Sequence, residues 1–133
     1  MIVRPARAED LEAVRELWGG ARSLHAITED TPARVERALD AILVAEVDGA
    51  VVGAVIAAFD GWRGNFYRLA VEPAFRRRGI GARLVEAGEE RLRALGAPRV
   101  SALVAFEDAD ARGFWEAAGY GADPDIGRMV KTI

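Results

Sequence analysis

The chain has 133 residues, 51% hydrophobic and 29% charged, with a net charge of −3, about one domain's worth of sequence with enough apolar material for one core. No apolar run reaches the ~18–20 residues of a membrane-spanning helix, the charged start MIVRPARAED lacks the apolar core of a secretory signal, and the acidic balance argues against general nucleic-acid affinity. Cysteine is absent and His25 is the only histidine, which excludes a disulfide framework, a thiol nucleophile and clustered Cys or His metal ligands. The expectation is a single cytoplasmic domain over residues 1–133, with no metal and with neither nucleic acid nor membrane as partner. Lys131 is the only lysine among 18 basic residues, so the arginines reflect coding composition first, and local clusters of them carry the information.

In chain order, residues 2–4 read as a short extended piece stopped by Pro5. Behind Ala8-Glu9-Asp10, the residues Leu11, Val14, Leu17 and Trp18 recur at three- and four-residue spacing, the mark of an amphipathic helix that Gly19-Gly20 ends. Thr31-Pro32 combines an N-cap with proline at the first helical position and launches a helix over 33–39. Residues 42–47 and 51–59 are apolar runs flanking Asp48-Gly49, a dipeptide favoured in two-residue hairpin turns. A turn over 60–64 leads into a strand over 66–71, closed by Pro73. Alternation puts Tyr67 and Leu69 on one face of it and Arg68 and Ala70 on the other. From Gly79 the period changes: Ile80, Leu84, Ala87, Gly88, Leu92 and Leu95 form the apolar stripe of a helix over 79–95, ended by Gly96 and Pro98. Residues 100–106 are apolar enough for a central strand, Asp108 or Asp110 caps a further helix through Ala118, and residues 128–133 alternate as a last strand would. Strand 66–71, helix 79–95 and strand 100–106 make one right-handed crossover unit with parallel strands. The fold class is mixed α/β, with chemistry expected near the carboxyl ends of the parallel pair.

The segment RLAVEPAFRRRGIGARL, residues 68–84, puts a strand, a proline-ended turn, three arginines and two glycines directly before a helix. Gly79 takes positive φ at little cost, and the N–H groups of residues 77–82 sit at the positive end of the helix dipole, which invites a phosphate. Arg76, Arg77 and Arg78 add charge-assisted donors. The only lysine is at 131, so this is no Walker loop, and Leu84 stands where a dinucleotide fingerprint needs its third glycine. Taken alone, the segment also fits a basic turn whose glycines serve packing.

Arg76-Arg77-Arg78-Gly79-Ile80-Gly81-Ala82 resembles motif A of the GNAT superfamily of acetyltransferases, Arg/Gln-x-x-Gly-x-Gly/Ala, and Leu69-Ala70-Val71-Glu72-Pro73 looks like the end of that family's fourth strand. Asp108-Ala109-Asp110-Ala111 and Phe114-Trp115-Glu116-Ala117-Ala118-Gly119-Tyr120 resemble motif B, with Asp108 where asparagine is usual and Trp115 in the place of a tyrosine. The resemblance implies a central, mostly antiparallel sheet with one parallel βαβ pair, flanked by about four helices. It implies transfer of an acetyl group from acetyl-CoA directly to a primary amine. In such proteins the amides of residues 77–82, here including Gly79, Ile80, Gly81 and Ala82, hold the pyrophosphate. Backbone groups of Leu69, Ala70 and Val71 take the pantetheine arm, and Arg76, Arg77, Arg78 and Arg112, with Asp108 at the head of motif B, lie toward the 3′-phosphate and adenine.

Acyl transfer needs a deprotonated amine, a donor for the oxyanion and an acid for the thiolate. Tryptophan has no proton to give at useful pKa, so Tyr67 and Tyr120 are the candidates for the acid. Glu107, Glu72, Asp60 or a chain of waters are the candidates for the base, since Asn65 and Leu103 stand near positions where some relatives carry glutamate. A thiolate leaves without help, so positioning and backbone polarisation are expected to carry the reaction. The acceptor, a small-molecule amine or a protein amino group, is expected against Trp18, His25, Trp62 and Arg63, with Arg22, Glu29 and Asp30 nearby in sequence. Relatives are often dimeric, which leaves a homodimer as an expectation. Two further readings stay open from sequence: an acyl-CoA-binding module without catalysis, and an interaction protein that binds no CoA.

Overall fold

The computed structural model describes residues 1–21 and 28–133, which fall into two units, Met1–Leu103 and Val104–Ile133. The first holds β1 (Ile2–Pro5), α1 (Leu11–Gly20), α2 (Pro32–Arg37), β2 (Ile42–Val47), β3 (Ala50–Phe59), β4 (Gly64–Val71), α3 (Ile80–Ala94) and β5 (Val100–Ala102). The strands form one sheet in the order β1-β2-β3-β4-β5, antiparallel from β1 to β4 and parallel only between β4 and β5. The second unit contains α4 (Ala109–Ala117). No helix among the described residues is long and apolar enough to cross a membrane.

Local chemistry accounts for these boundaries. Asp48 and Gly49 both take positive φ, 51° and 80°, as a primed hairpin turn requires. The Thr31 hydroxyl accepts from the Arg34 N–H at 3.2 Å, with Pro32 opening α2, and Asp108 accepts from the Ala111 N–H at 3.0 Å to start α4. The first strand is fixed by charge. Arg4 grips Asp10 with two bonds of 2.8 and 3.0 Å, while the Arg7 N–H donates to the same carboxylate at 2.7 Å. These donors, Arg4 first, hold the Asp10 carboxyl below its usual range against the opposing effect of burial.

The sheet has two covered faces. On one, Ile42, Val44, Ala54 and Ala70 pack with Val14, Leu17, Trp18 and Val35 from α1 and α2. On the other lies α3, with Ile80 and Leu84 over Gly53, Leu92 over Gly64, and Gly88 over Phe66 and Ala57. At Gly88 the approach is so close that a Cβ would overlap the Phe66 ring and stand 3.3 Å from the Ala57 Cβ.

Strand β4 departs from simple alternation. Ala54 pairs with Ala70 and Ile56 with Tyr67, so two steps along β3 match three along β4 and one residue is extra, a β-bulge at Arg68–Leu69 opposite Val55. Arg68 takes φ +56° there. Paired residues in an antiparallel ladder share a face, so Tyr67, opposite Ile56, lies on the same side as Ala70, opposite Ala54. The expected opposition of Tyr67 to Ala70 is therefore corrected: the extra residue shifts the parity of the strand. Two strand boundaries are corrected as well. Pairing of β5 ends at Phe66↔Ala102, just before the bulge, so the strand expected over 100–106 stops after Val100–Ala102. Residues 128–133 form no strand and are exposed, because alternation supplies a two-sided pattern but not a partner edge.

Two outcomes test this packing. Gly88→Ala gains up to ~1 kcal/mol of helix propensity and meets an overpacking cost of ~1–3 kcal/mol, so Tm should fall by a few degrees and recover when Phe66 is shortened to Leu. Asp10→Asn should cost ~2 kcal/mol at neutral pH. The native carboxyl is depressed, so its contribution is present above the ordinary carboxylate range and disappears as pH falls through the folded-state value. Melting curves should show the mutant's deficit shrinking in acid.

Candidate functional site

Strand β4 ends at Val71 and the chain turns through a short 3₁₀ turn, Pro73–Phe75, into the arginines. Arg77 (φ 63°) and Gly79 (φ 78°) are both left-handed, the backbone pattern that turns successive N–H groups toward one concavity. Gly79 is the N-cap of α3 and contributes no side-chain cap. The first helical bond runs from the Arg83 N–H to the Gly79 oxygen at 3.0 Å, which leaves the N–H groups of Ile80, Gly81 and Ala82 without an acceptor inside the helix. A Cβ at Gly79 would meet nothing within 4 Å, so the space beside the N-cap is open. The dipole of a four-turn helix adds positive potential at the same point.

The arginines of this loop differ in their engagement. Arg76 donates through Nε to the Val71 carbonyl at 3.2 Å, bracing the loop against the end of β4. Arg78 lies over the Phe75 ring at 4.9 Å. Arg77 forms no ion pair among the described residues, and its left-handed backbone shapes the concavity.

Beside the loop runs an open strand edge. The Glu72 N–H donates to the Val52 oxygen at 2.7 Å, and strand backbone groups alternate in direction, so Val71 turns its N–H and C=O away from β3. Strand β5 accompanies β4 only from Gly64 to Phe66. From Tyr67 to Val71 the far edge of β4 therefore has no strand beside it among the described residues, and the chain runs on through the 3₁₀ turn and the arginine loop to the N-terminus of α3.

Residues 10–120 match the acetyltransferase (GNAT) family. The chain belongs to that family. An acetyltransferase of Pectobacterium atrosepticum is 38% identical over 124 residues, which cover 90% of this chain and 87% of the relative. A Mycobacterium tuberculosis protein solved in complex with CoA aligns with 27% identity and a TM-score of 0.72 over 86% of this chain and 70% of its own. An aminoglycoside N-acetyltransferase solved with CoA shares the fold, with a TM-score of 0.79 and 19% identity over 99% of this chain and 100% of that one. The mixed sheet with one parallel pair is the GNAT arrangement, and the chain is accordingly an enzyme of the N-acetyltransferase class.

The remaining residues of GNAT interest scatter. Tyr67 is 44% exposed and directly precedes the bulge. Ala70 is buried in the core on the α1 side. Trp18, expected on the acceptor surface, is 2% exposed inside that same core, where it completes the α1 stripe. Trp62 is 78% exposed in a turn held by Asp60, which accepts from the N–H groups of Trp62 and Arg63 at 2.8 Å each. The Arg63 and Trp62 amides hold the Asp60 carboxyl below its usual range, which makes it a weaker proton acceptor. His25 and Arg22 lie outside the described residues.

Within the second unit, Asp108 is committed to the α4 cap. Arg112 donates to the Phe106 carbonyl at 2.7 Å and stands 3.8 Å from the Glu116 carboxylate. Tyr120 meets Trp115 edge-on at 5.0 Å, and Glu107 is an exposed turn residue. The bulge is the feature that sequence reasoning missed. A bulge with a left-handed residue ordinarily announces itself by glycine, and here the position is Arg68.

Gly79→Ala isolates the backbone requirement of the loop. With open space around the position, the cost is conformational alone, ~1–2 kcal/mol for a left-handed residue with a Cβ, and a drop in Tm of several degrees should appear without loss of secondary structure by circular dichroism.

Proposed function

We propose that this GNAT enzyme transfers the acetyl group of acetyl-CoA directly to a primary amine, with residues 1–133 acting as one catalytic domain. The observation that carries the reading is the uncapped N-terminus of α3 lying at the end of the open edge of β4. The residues present fit an acyl-CoA. The N–H groups of Ile80, Gly81 and Ala82, with the Arg77–Gly79 concavity, would hold its diphosphate, with Arg76, Arg77 and Arg78 adding positive charge. The Val71 and Leu69 edge would take the amides of its pantetheine arm as an added strand.

At the head of that edge, the bulge leaves backbone groups of Arg68–Leu69 outside the regular ladder, and a preset N–H there would donate to the oxygen on which charge develops during attack. In the transfer, the amine nitrogen forms a bond to the acetyl carbon and loses one proton to water, while the carbon–sulfur bond breaks and the sulfur leaves as thiolate. Tyr67, beside the bulge, is the first candidate to protonate that thiolate and Tyr120 the second; Glu107 is a candidate for the base in place of water. The exposed Trp62 and the neighbouring Arg63 are our candidates for the acceptor surface, and the aminoglycoside-modifying relative supports a small-molecule amine as the class to screen first.

Three measurements check the reading. Acetyl-CoA and CoA at a hundredfold excess over Kd should each stabilise the fold by ~2.7 kcal/mol, several degrees in Tm, whereas ATP should not; no shift with millimolar CoA would remove the reading. With water taking the proton, kcat/KM for an aliphatic amine should rise about tenfold per pH unit below the amine's own pKa near ~10, and a plateau near neutrality would instead reveal a protein base. Tyr67→Phe and Tyr120→Phe should each lower kcat by less than about tenfold. A thousandfold loss at either would make that tyrosine the essential acid.

A further inference from the structure

Three arginines converge on one short segment. Arg68, at the bulge of β4, donates through Nε to the Asp30 carboxylate at 3.0 Å and through a terminal nitrogen to the Thr28 carbonyl at 2.8 Å. Arg15, from α1, donates to the Asp30 carbonyl at 3.0 Å, and Arg34, from α2, donates to the Glu29 carbonyl. The side chains of Arg68 and Asp30 are only 24% and 17% exposed, so the pair is partly withdrawn from water, where its single Nε–Oδ1 contact is less screened than at the surface. The residue making it is also the one held at φ +56°, a conformation that is costly with a Cβ and persists where the surroundings over-determine it. Here those surroundings are identifiable, since both described bonds of the Arg68 guanidinium go to residues 28–30.

We propose that Asp30 is a positioning residue for acetyl transfer: by gripping Arg68 it fixes the left-handed backbone of the β4 bulge, and with it the direction of the backbone donor beside the thioester. The inference rests on the acetyl-transfer reading above. Asp30 lies 38 positions before Arg68, in the segment before α2, so the shape of the bulge is set by an element remote in sequence, and that element is braced in turn by α1 and α2. The role does not require Asp30 to touch either substrate. Mispositioning of a catalytic donor acts on the chemical step and leaves cofactor affinity alone.

The test compares wild type, Asp30→Asn, Arg68→Lys, Arg68→Gly and the double variant Asp30→Asn/Arg68→Gly, using acetyl-CoA and a panel of primary amines, with CoA affinity measured separately by titration. Asp30→Asn should lower kcat by about tenfold to a hundredfold, with the Kd for CoA and the KM for the amine within twofold. Arg68→Lys, which keeps the charge and loses the fork, should lower kcat similarly. Glycine adopts positive φ unaided, so in the Arg68→Gly background the Asp30→Asn change should cost less than about twofold, a strong non-additivity. The strong intraresidue NOE between the amide and α protons of residue 68, which a left-handed φ produces, should be present in wild type and weakened in Asp30→Asn.

An unchanged kcat in Asp30→Asn, or equal costs in the two backgrounds, would overturn the proposal, as would a raised amine KM at constant kcat, which would put Asp30 on the acceptor. If Asp30→Asn fails to fold, Arg68→Lys, read by kcat and by the amide–α NOE of residue 68, carries the same decision. Failure of wild type to turn over any amine, with CoA bound, would refute the underlying reading instead.

Discussion

One extra residue in the middle of a central strand governs how this protein is put together. Strand β4 has to present Phe66 to α3 and Ala70 to α1, yet residues four apart on a regular strand point the same way. The bulge at Arg68–Leu69 resolves the conflict by shifting the parity between them. Several other features follow. The parallel ladder with β5 stops where the bulge begins, the far edge of β4 opens, and the strand arrives at the 3₁₀ turn with Val71 facing outward. The site proposed for the acyl-CoA is thus a by-product of a packing problem: both faces of the sheet are covered, and the strand that crosses between them has to leave part of its backbone unpaired.

The second face imposes its own demand. Helix α3 lies close enough to the sheet for its Ile80, Leu84 and Leu92 side chains to fill the space left by Gly53 and Gly64, and for Gly88 to sit on the Phe66 ring. This seating fixes where the first turn of α3 begins, and therefore where its unpaired N–H groups stand. The position of the helix end proposed to bind the diphosphate is thus set by glycine contacts two and three turns further along. That arrangement suits a loop that has to hold a charged group without rebuilding itself.

Much of this was legible in the sequence. The spacing of Ile80, Leu84, Gly88 and Leu92 announced α3, Asp48-Gly49 the hairpin, Thr31-Pro32 the start of α2, and the glycines after Arg76–Arg78 the turn into α3. Each of these is a local rule, satisfied by residues within a few positions of one another. What could not be read depended on distant partners. Nothing near Arg68 in the sequence marks it as left-handed, and its side-chain partners, Asp30 and Thr28, lie 38 and 40 positions away. The alternation of residues 128–133 looks like a strand, but a strand exists only with a neighbour. Trp18 and Trp62 are chemically the same residue, and only packing makes one core and the other surface. Reading the arginines as a matter of composition concealed that Arg15, Arg34 and Arg68 converge on a single segment.

The three tryptophans occupy three different environments. Trp18 is 2% exposed in the α1 core and Trp62 is 78% exposed in the Asp60 turn, while Trp115 is stacked edge-on between Phe114 and Tyr120 in the second unit. The molecule therefore carries its own set of spectroscopic probes. Emission from Trp62 should lie at long wavelength and be open to iodide, that from Trp18 should be blue and shielded, and that from Trp115 should respond to the aromatic contacts of α4. Unfolding of the core, rearrangement of the β3–β4 turn and loosening of the second unit can be followed separately in the unlabelled chain.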